Sequence, residues 1–351
     1  MAVLPLLENP EAYVPCIQDL LADGESVRAY WLTLFERHVE TLACLRVSGG
    51  RLDAQPAWPS FHRDYLAGLA ELRREPAARG ALTVLELTRY RDEKLAAHGF
   101  IDPFLDLKQR ENRLAAEQLA EVLRDIDRTP WPKRGERLAT GLFAGNLFDM
   151  GSRAAVDAFE GRGFDFAAAR KRVAPRPWAV DDLDAWIERV SGPRPAYRQA
   201  IFFVDNAGPD IVLGALPLAR ALADGGICVA LAANSEPALN DITAPELREL
   251  LEELRTVDKR LDAHLREKRL MVVASGCASP LIDLSDVDPS CCAAAAESDL
   301  LILEGMGRAI ESNYDTRFNV DTVKLALIKD PMVARVIGVR LFDPVFKFER
   351  A

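Results

Sequence analysis

Histidine is scarce in this chain of 351 residues: there are four, His38, His62, His98 and His264, and none lies in a cluster of zinc-like spacing. Histidine-based catalysis and a histidine-built metal centre are therefore poor expectations. The six cysteines contain no CxxC pair, and Cys291 and Cys292 are adjacent, which makes a disulfide framework a poor reading and a reducing cytoplasm the expected setting. No apolar run approaches the roughly 20 residues needed to span a bilayer. The opening MAVLPLLENPEAYVP lacks the basic and long apolar regions of a signal peptide, so no membrane partner or anchor is expected. Positive charge is in deficit too, with a formal net charge of −10, which argues against nucleic acid as a partner. The local run Arg170, Lys171 and Arg172 reads as solvated helix surface. Familiar phosphate-handling signatures are missing as well. No GK[ST] occurs, GMGRAI lacks the third glycine of a dinucleotide loop, and the DxDx[TV] of haloacid-dehalogenase phosphatases fails because Ala207 stands two places after Asp205.

What the chain does have is core-forming material, 49% hydrophobic against 28% charged, enough for one large core or two lobes sharing one. Up to about Trp186 the pattern is helical. In Tyr30–Leu45, for example, Trp31, Leu34, Phe35, Val39 and Leu42 recur at helical spacing, and no alternating strand stands out. The segment SGPRPAYR, Ser191–Arg198, marks a change of texture, dividing a helical lobe over 1–190 from an α/β core over 191–351. Beyond it, short apolar runs alternate with amphipathic helices, which predicts βα units and a mainly parallel sheet. The runs are AIFFVDN, ICVALAANS, RLMVVASG, DLLILEGMG and KLALIKD, ending on Asp205 and Asn206, Asn234 and Ser235, Ser275 and Gly276, Glu304 and Gly305, and Lys329. Open α/β sheets bind ligands beyond the carboxyl ends of their strands, so these residues are expected to meet in one crevice.

Asp205 and Asn206 face opposite ways on a regular strand and can address one ion only if the chain bends, which Gly208 permits. Their hard oxygen donors suit Mg²⁺ or Mn²⁺. A third ligand is needed, and Asp241 is placed to serve; it is equally well placed to cap a helix starting near Thr243 or Pro245. Asn240 is the weaker alternative. The helix after Asn206 is expected to begin at Pro209 and Asp210, to aim an anion-favouring N-terminus at the crevice, to kink at Pro217 and to stop at Gly225 and Gly226. Lys329 and Arg308 suit phosphate oxygens, although Arg308 also reads as a surface guanidinium. Ser275 and Gly305 would line the site. From the helical half come Lys108, Glu111 and Asn112 on one helical face, and Asn146 with Asp149, which read as substrate-facing polar groups or as caps and interhelical hydrogen bonds. Asp205 could be a metal ligand or a nucleophile attacking phosphorus.

Six segments together resemble one family, the damage-control phosphatases once grouped as domain of unknown function 89. They are DPFLDLKQREN (Asp102–Asn112), GLFAGNLFD (Gly141–Asp149), FVDNAGPDIVLG (Phe203–Gly214), ANSEPALNDIT (Ala233–Thr243), EGMGRAIESNYD (Glu304–Asp315) and LALIKD (Leu325–Asp330), within a likeness running from Tyr13 to Glu349. YWLTLFE, PWAVDDLDAWIERV and the ending GVRLFDPVFKFE resemble the branch fused to pantothenate kinase four; with no room for a kinase, the expectation is a free-standing phosphatase unit. The resemblance implies an α/β/α Rossmann-like core with an N-terminal helical lobe. It implies a divalent metal (Mn²⁺, Co²⁺, Ni²⁺ or Mg²⁺) held by Asp205, Asn206 and Asp241, with Lys329 as the family lysine and Asn146 and Asp149 as its GNxxD motif. It further implies hydrolysis of small phosphorylated metabolites, 4′-phosphopantetheine and its oxidised forms in the related branch. Pro209 departs from the family pattern and bears on helix entry more than on the ligands. A non-catalytic phosphometabolite-binding module is the competing expectation. A carboxyl methyltransferase is less favoured because no glycine-rich cofactor loop follows the first strand. Homo-oligomer formation is left open.

Overall fold

The computed structural model describes residues 2–147, 165–192 and 196–351; Asp149 lies outside them. The chain opens with helices α1 (Glu25–Cys44), α2 (Trp58–Arg74), α3 (Val84–Ala97), α4 (Leu105–Arg128) and α5 (Lys133–Asn146). In α1 the expected stripe is buried at Trp31, Phe35, Val39 and Leu42, while Leu34 lies off it and is 40% exposed. On α4 the buried positions Ala115, Leu119, Val122, Leu123 and Ile126 form one apolar face. The same face begins with two buried charged residues, Lys108 and Glu111, so its first turns are reserved for something other than packing.

The five apolar runs form β4 (Gln199–Phe203), β5 (Cys228–Ala233), β6 (Leu270–Ala274), β7 (Leu300–Glu304) and β8 (Asp321–Leu327), preceded by β1 (Arg46–Val47), β2 (Gly50–Arg51) and β3 (Val180–Asp181) and followed by β9 (Pro344–Glu349). β1 and β2 pair as a small antiparallel hairpin. The main sheet has seven strands in the order β3-β9-β8-β7-β4-β5-β6, parallel throughout except where β9 runs against β8. Strands before Trp186 were not expected. Those present are two residues long, too short to write a period-2 pattern.

Alternate residues of the central strands supply two different cores. Ala200, Phe202 and Val204 join Leu119, Leu142 and Phe143 of α4 and α5 on one face. Ile201 and Phe203 join Phe35, Phe61 and Leu87 of α1 to α3 on the other. A sheet buried on both faces requires unbroken apolar strands, which is why these runs were legible. The result is the α/β/α arrangement, with helices from the first half of the chain in both outer layers.

The helix after β4 changes its winding just before Pro217. Residues Asp210–Ala215 are wound as a π-helix, and Pro217 sits in the first turn of the α-helix Leu216–Asp224. The missing proline N–H thus falls where the hydrogen-bond register already changes. A second π-helix, Met306–Glu311, follows β7.

Candidate active site

From β4 the chain moves outward to β5 and β6, then crosses back to place β7 on the other side of β4. The strand order reverses between β4 and β7, and the crevice opens at their carboxyl ends.

Asp205 and Asn206 leave β4 there. Asn206 forms an isolated antiparallel bridge with Asp241, flanked by Ile242 N donating to Asp205 O at 3.1 Å and Ala207 N to Asn240 O at 2.9 Å. That backbone pairing seats Asp241 beside Asp205. The helix beginning at Ala244 is capped by Thr243 with Glu246 in a reciprocal capping box, so Asp241 is not its cap. Gly208, at φ +76°, makes the expected bend. Its N–H donates to Asn112 Oδ1 at 2.6 Å, and an added Cβ would lie 2.8 Å from Glu111 Cβ. Lys108, on the same helical face, pairs with Asp102 at 2.9 Å and Glu246 at 2.7 Å and approaches the carbonyl of Asp241 at 3.5 Å.

The α5 helix approaches through glycines: a Cβ on Gly145 would stand 2.7 Å from Asp210 Cα, and one on Gly214 3.1 Å from Leu142 Cα. This contact brings Asn146 into the crevice, where its amide donates to Asp205 Oδ2 (3.1 Å) and Asp210 Oδ2 (3.2 Å) and its carbonyl accepts from Lys329 Nζ (3.0 Å). Asn206 Nδ2 donates to the same two carboxylate oxygens at 2.8 and 3.0 Å, and its backbone N–H to Asp210 Oδ2 at 3.1 Å. The helix start expected to greet a phosphate therefore carries a carboxylate of its own.

Arg308 is not a surface guanidinium. It is buried, with Nη1 donating to Asp205 Oδ1 and Nη2 to Asp241 Oδ2 (2.7 Å) and Asn234 Oδ1 (2.9 Å). Gly305, at φ +94°, turns the chain over Asp205, and any side chain there would run into that carboxylate. Ser275 stands apart: its hydroxyl accepts from Cys277 N at 3.1 Å within its own turn.

Asn234 and Glu304 were expected in the crevice as strand ends but were given no role, and Asp210 and Glu311 were not expected there as site groups. Burial, then the charge of Asp205, pushes Asp210 up to about 6. Burial, then Asp210 and Asp205, holds Glu304 well above the usual carboxylate range. Both Glu304 oxygens and Asp210 Oδ1 are buried without a hydrogen-bond donor among the described residues, and a proton held between the two carboxyls would satisfy Asp210 Oδ1 and one of the Glu304 oxygens. Glu311 is pushed up to about 8 by burial and by Asp330 and Asp205, with Lys329 acting the other way. Arg308 stays charged because Asp241 and Asp205 outweigh its burial. The available signals were positional: Asp210 lies four residues after Asn206, and Asn234 and Glu304 stand at strand ends.

For a divalent ion, Asp205, Asn206 and Asp241 offer hard oxygen donors, and Asn146 Oδ1 is a further buried oxygen without a donor among the described residues. Among those residues no three His, Cys, Asp or Glu side chains are gathered as a metal-holding group, and the candidate set here is two carboxylates with amide oxygens. The donor chemistry fits.

Fold and crevice define an α/β protein with a carboxylate- and amide-lined crevice at a strand-order switch point. Residues 48–345 match the damage-control phosphatase ARMT1-like domain, and the chain belongs to that family. It is 36% identical to a damage-control phosphatase of Arabidopsis thaliana over 91% of this chain and 87% of that protein. It is also 34% identical to the 4′-phosphopantetheine phosphatase of Mus musculus and 38% identical to pantothenate kinase 2 of Arabidopsis thaliana. Each of these two alignments takes in 99% of this chain, which spans only 48% and 42% of those longer relatives. A DUF89 family protein from Pyrococcus horikoshii superposes with a TM-score of 0.63 at 18% identity, covering 92% of this chain and 97% of that one, a likeness of fold.

Proposed function

We propose that this chain is a divalent-metal-dependent phosphomonoesterase of small phosphometabolites in the cytoplasm, with 4′-phosphopantetheine and its oxidised derivatives as first candidates. The observation carrying the reading is the Asn206–Asp241 bridge, a backbone pairing at the strand-order switch that supports Asp205, Asn206 and Asp241 as one ligand set. These three side chains would hold Mn²⁺, Co²⁺, Ni²⁺ or Mg²⁺. Such an ion neutralises phosphoryl charge and makes water a better nucleophile. Lys329, anchored by the Asn146 carbonyl, offers an ammonium to the phosphate, and Asn112 and Gly305 hold the backbone turns around Asp205. Asp205 accepts two amide donors on Oδ2 and the guanidinium on Oδ1, which favours a ligand's role over a nucleophile's. The buried Asp210 and Glu304 pair can keep a proton close to the reacting group. The substrate choice is supported by the mouse relative's name and by an alignment over 99% of this chain, which spans 48% of that protein. The reaction consumes a phosphate monoester and water and yields an alcohol and inorganic phosphate.

The test is a phosphate-release screen over 4′-phosphopantetheine, its sulfonate and sugar phosphates, each with the four metals. Turnover with at least one pair is expected. No release under any condition removes the enzyme reading; metal-dependent binding of 4′-phosphopantetheine with no product would leave a sensor in its place.

A further inference from the structure

Arg308 is enclosed within the crevice, its side chain 2% exposed. One arm reaches Asp205 at the end of β4, and the other reaches Asp241, which belongs to the loop after β5. Asn234 buttresses this junction, accepting from Nη2 while donating to the same Asp241 oxygen at 2.9 Å. The backbone behind it is equally committed. Gly305 reverses the chain, the π-helix Met306–Glu311 carries Arg308 inward, and Asn313 Nδ2 donates to the Arg308 carbonyl at 2.9 Å. Nothing in this arrangement resembles a loose side chain that happens to lie nearby.

The two carboxylates it joins are the two acidic members of the proposed ligand set. A guanidinium and a divalent ion therefore draw on the same oxygens. If Arg308 keeps its contacts, the ion meets a like charge across a short, poorly screened distance. If Arg308 yields them, a buried ion pair must be broken first. Either way the arginine weakens metal binding, and in exchange it satisfies two buried carboxylates whenever the ion departs.

We infer that Arg308 is a resident cation that competes with the divalent metal for Asp205 and Asp241, lowering metal affinity while keeping the crevice folded through metal exchange. This rests on the metal reading above. It also predicts a sign that a purely structural role cannot produce: removing a structural brace loosens a ligand set and weakens metal binding, whereas removing a competitor strengthens it.

The experiment is Mn²⁺ binding by titration calorimetry to the metal-stripped full chain, for wild type, Arg308→Gln and Arg308→Lys, together with thermal unfolding of each with and without Mn²⁺. Arg308→Gln should bind Mn²⁺ about tenfold or more tightly than wild type. Without metal it should melt lower, and Mn²⁺ should raise its melting temperature by more than it raises that of wild type. Arg308→Lys keeps the charge but cannot hold both carboxylates as a fork, so its affinity should rise less; it carries the test should the glutamine variant fail to fold. Variants that bind Mn²⁺ no more tightly than wild type would overturn the inference and leave the metal site standing. Wild-type protein that binds none of Mn²⁺, Co²⁺, Ni²⁺ or Mg²⁺ would remove the metal reading itself, and this inference with it.

Discussion

Between Asp241 and Thr243 the sequence offers two capping side chains for one helix, and the structure uses the hydroxyl. Asp241 is left facing Asn234 and Arg308, buried at 2% exposure, which is a costly place for a carboxylate without a task. Asp241→Asn keeps its shape and removes its charge, and is expected to lower phosphate release by roughly 100-fold or more. Circular dichroism should show an unchanged fold; full activity in that variant would exclude Asp241 from the mechanism. Glu311 lends itself to a different measurement. Its carboxyl moves from 4.5 to about 8, burial being the main cause. Across that window the native chain keeps a proton that the unfolded chain has released. The stability tied to this group is therefore complete below about pH 4.5 and lost as pH rises through about 8. Glu311→Gln escapes that loss. Relative to wild type it should gain on the order of 1–3 kcal/mol between pH 6 and pH 9 in denaturant unfolding. A difference that stays flat with pH would show that the group is already ionised in the folded state.

At the level of elements, the four inner strands β4, β5, β7 and β8 were readable because burial on both faces favours apolar runs, as in Ile201–Phe203 and Leu300–Leu303, and the edge strand β6 kept an apolar run although only Leu270 in it is fully buried. Their convergence followed from parallel topology alone. β3 was not readable, since Val180 and Asp181 owe their strand state to pairing with Val345 and Phe346, a partner more than 160 residues away. Neither π-helix was readable. The extra residue per turn in Asp210–Ala215 and Met306–Glu311 leaves no compositional mark, and it decides where Asp210 and Arg308 point. Arg308 illustrates the same limit: its type and strand-end position suggested a phosphate clamp, whereas its partners became visible only with the crossing of three strand ends. The Thr243 capping box was not legible: the helix was expected to start near Thr243 or Pro245, with Asp241 as its candidate cap. The box does double duty, because Glu246 also holds Lys108, which in turn meets the Asp241 carbonyl. Thr243→Ala is expected to cost about 1 kcal/mol in denaturant unfolding. It should also raise KM more than it lowers kcat, since it loosens the loop carrying Asp241 without touching the donors. A stability loss with unchanged kinetics would separate the cap from the site.

For the whole molecule the question is whether the half of the chain with most of the sheet can stand without the helical half. Its sheet is incomplete alone: β3 is contributed by residues before 190, and Asp182 adds a hydrogen bond from its N–H to Phe346 O at 3.0 Å and accepts one from Phe348 N at 3.0 Å. Cutting at 190/191 would leave β9 as a bare edge strand carrying Val345, Phe346 and Phe348, the kind of edge that invites aggregation. Both faces would be partly uncovered as well. Phe202 and Val204 would lose Leu119, Leu142 and Phe143, while Ile201 and Phe203 would lose Phe35 and Phe61. Newly exposed apolar surface of that kind favours aggregation over a stable fold. Asn112 and Asn146, which hold Gly208 and Asp205 in place, would go with the same cut. The full chain is therefore expected to unfold in one calorimetric transition with matching calorimetric and van't Hoff enthalpies. Residues 191–351 expressed alone should show neither a cooperative transition nor measurable Mn²⁺ binding. A fragment that melts sharply would prove the sheet half a self-sufficient domain. If it also bound Mn²⁺ as the full chain does, the helical half would be an accessory to the crevice instead of one of its walls.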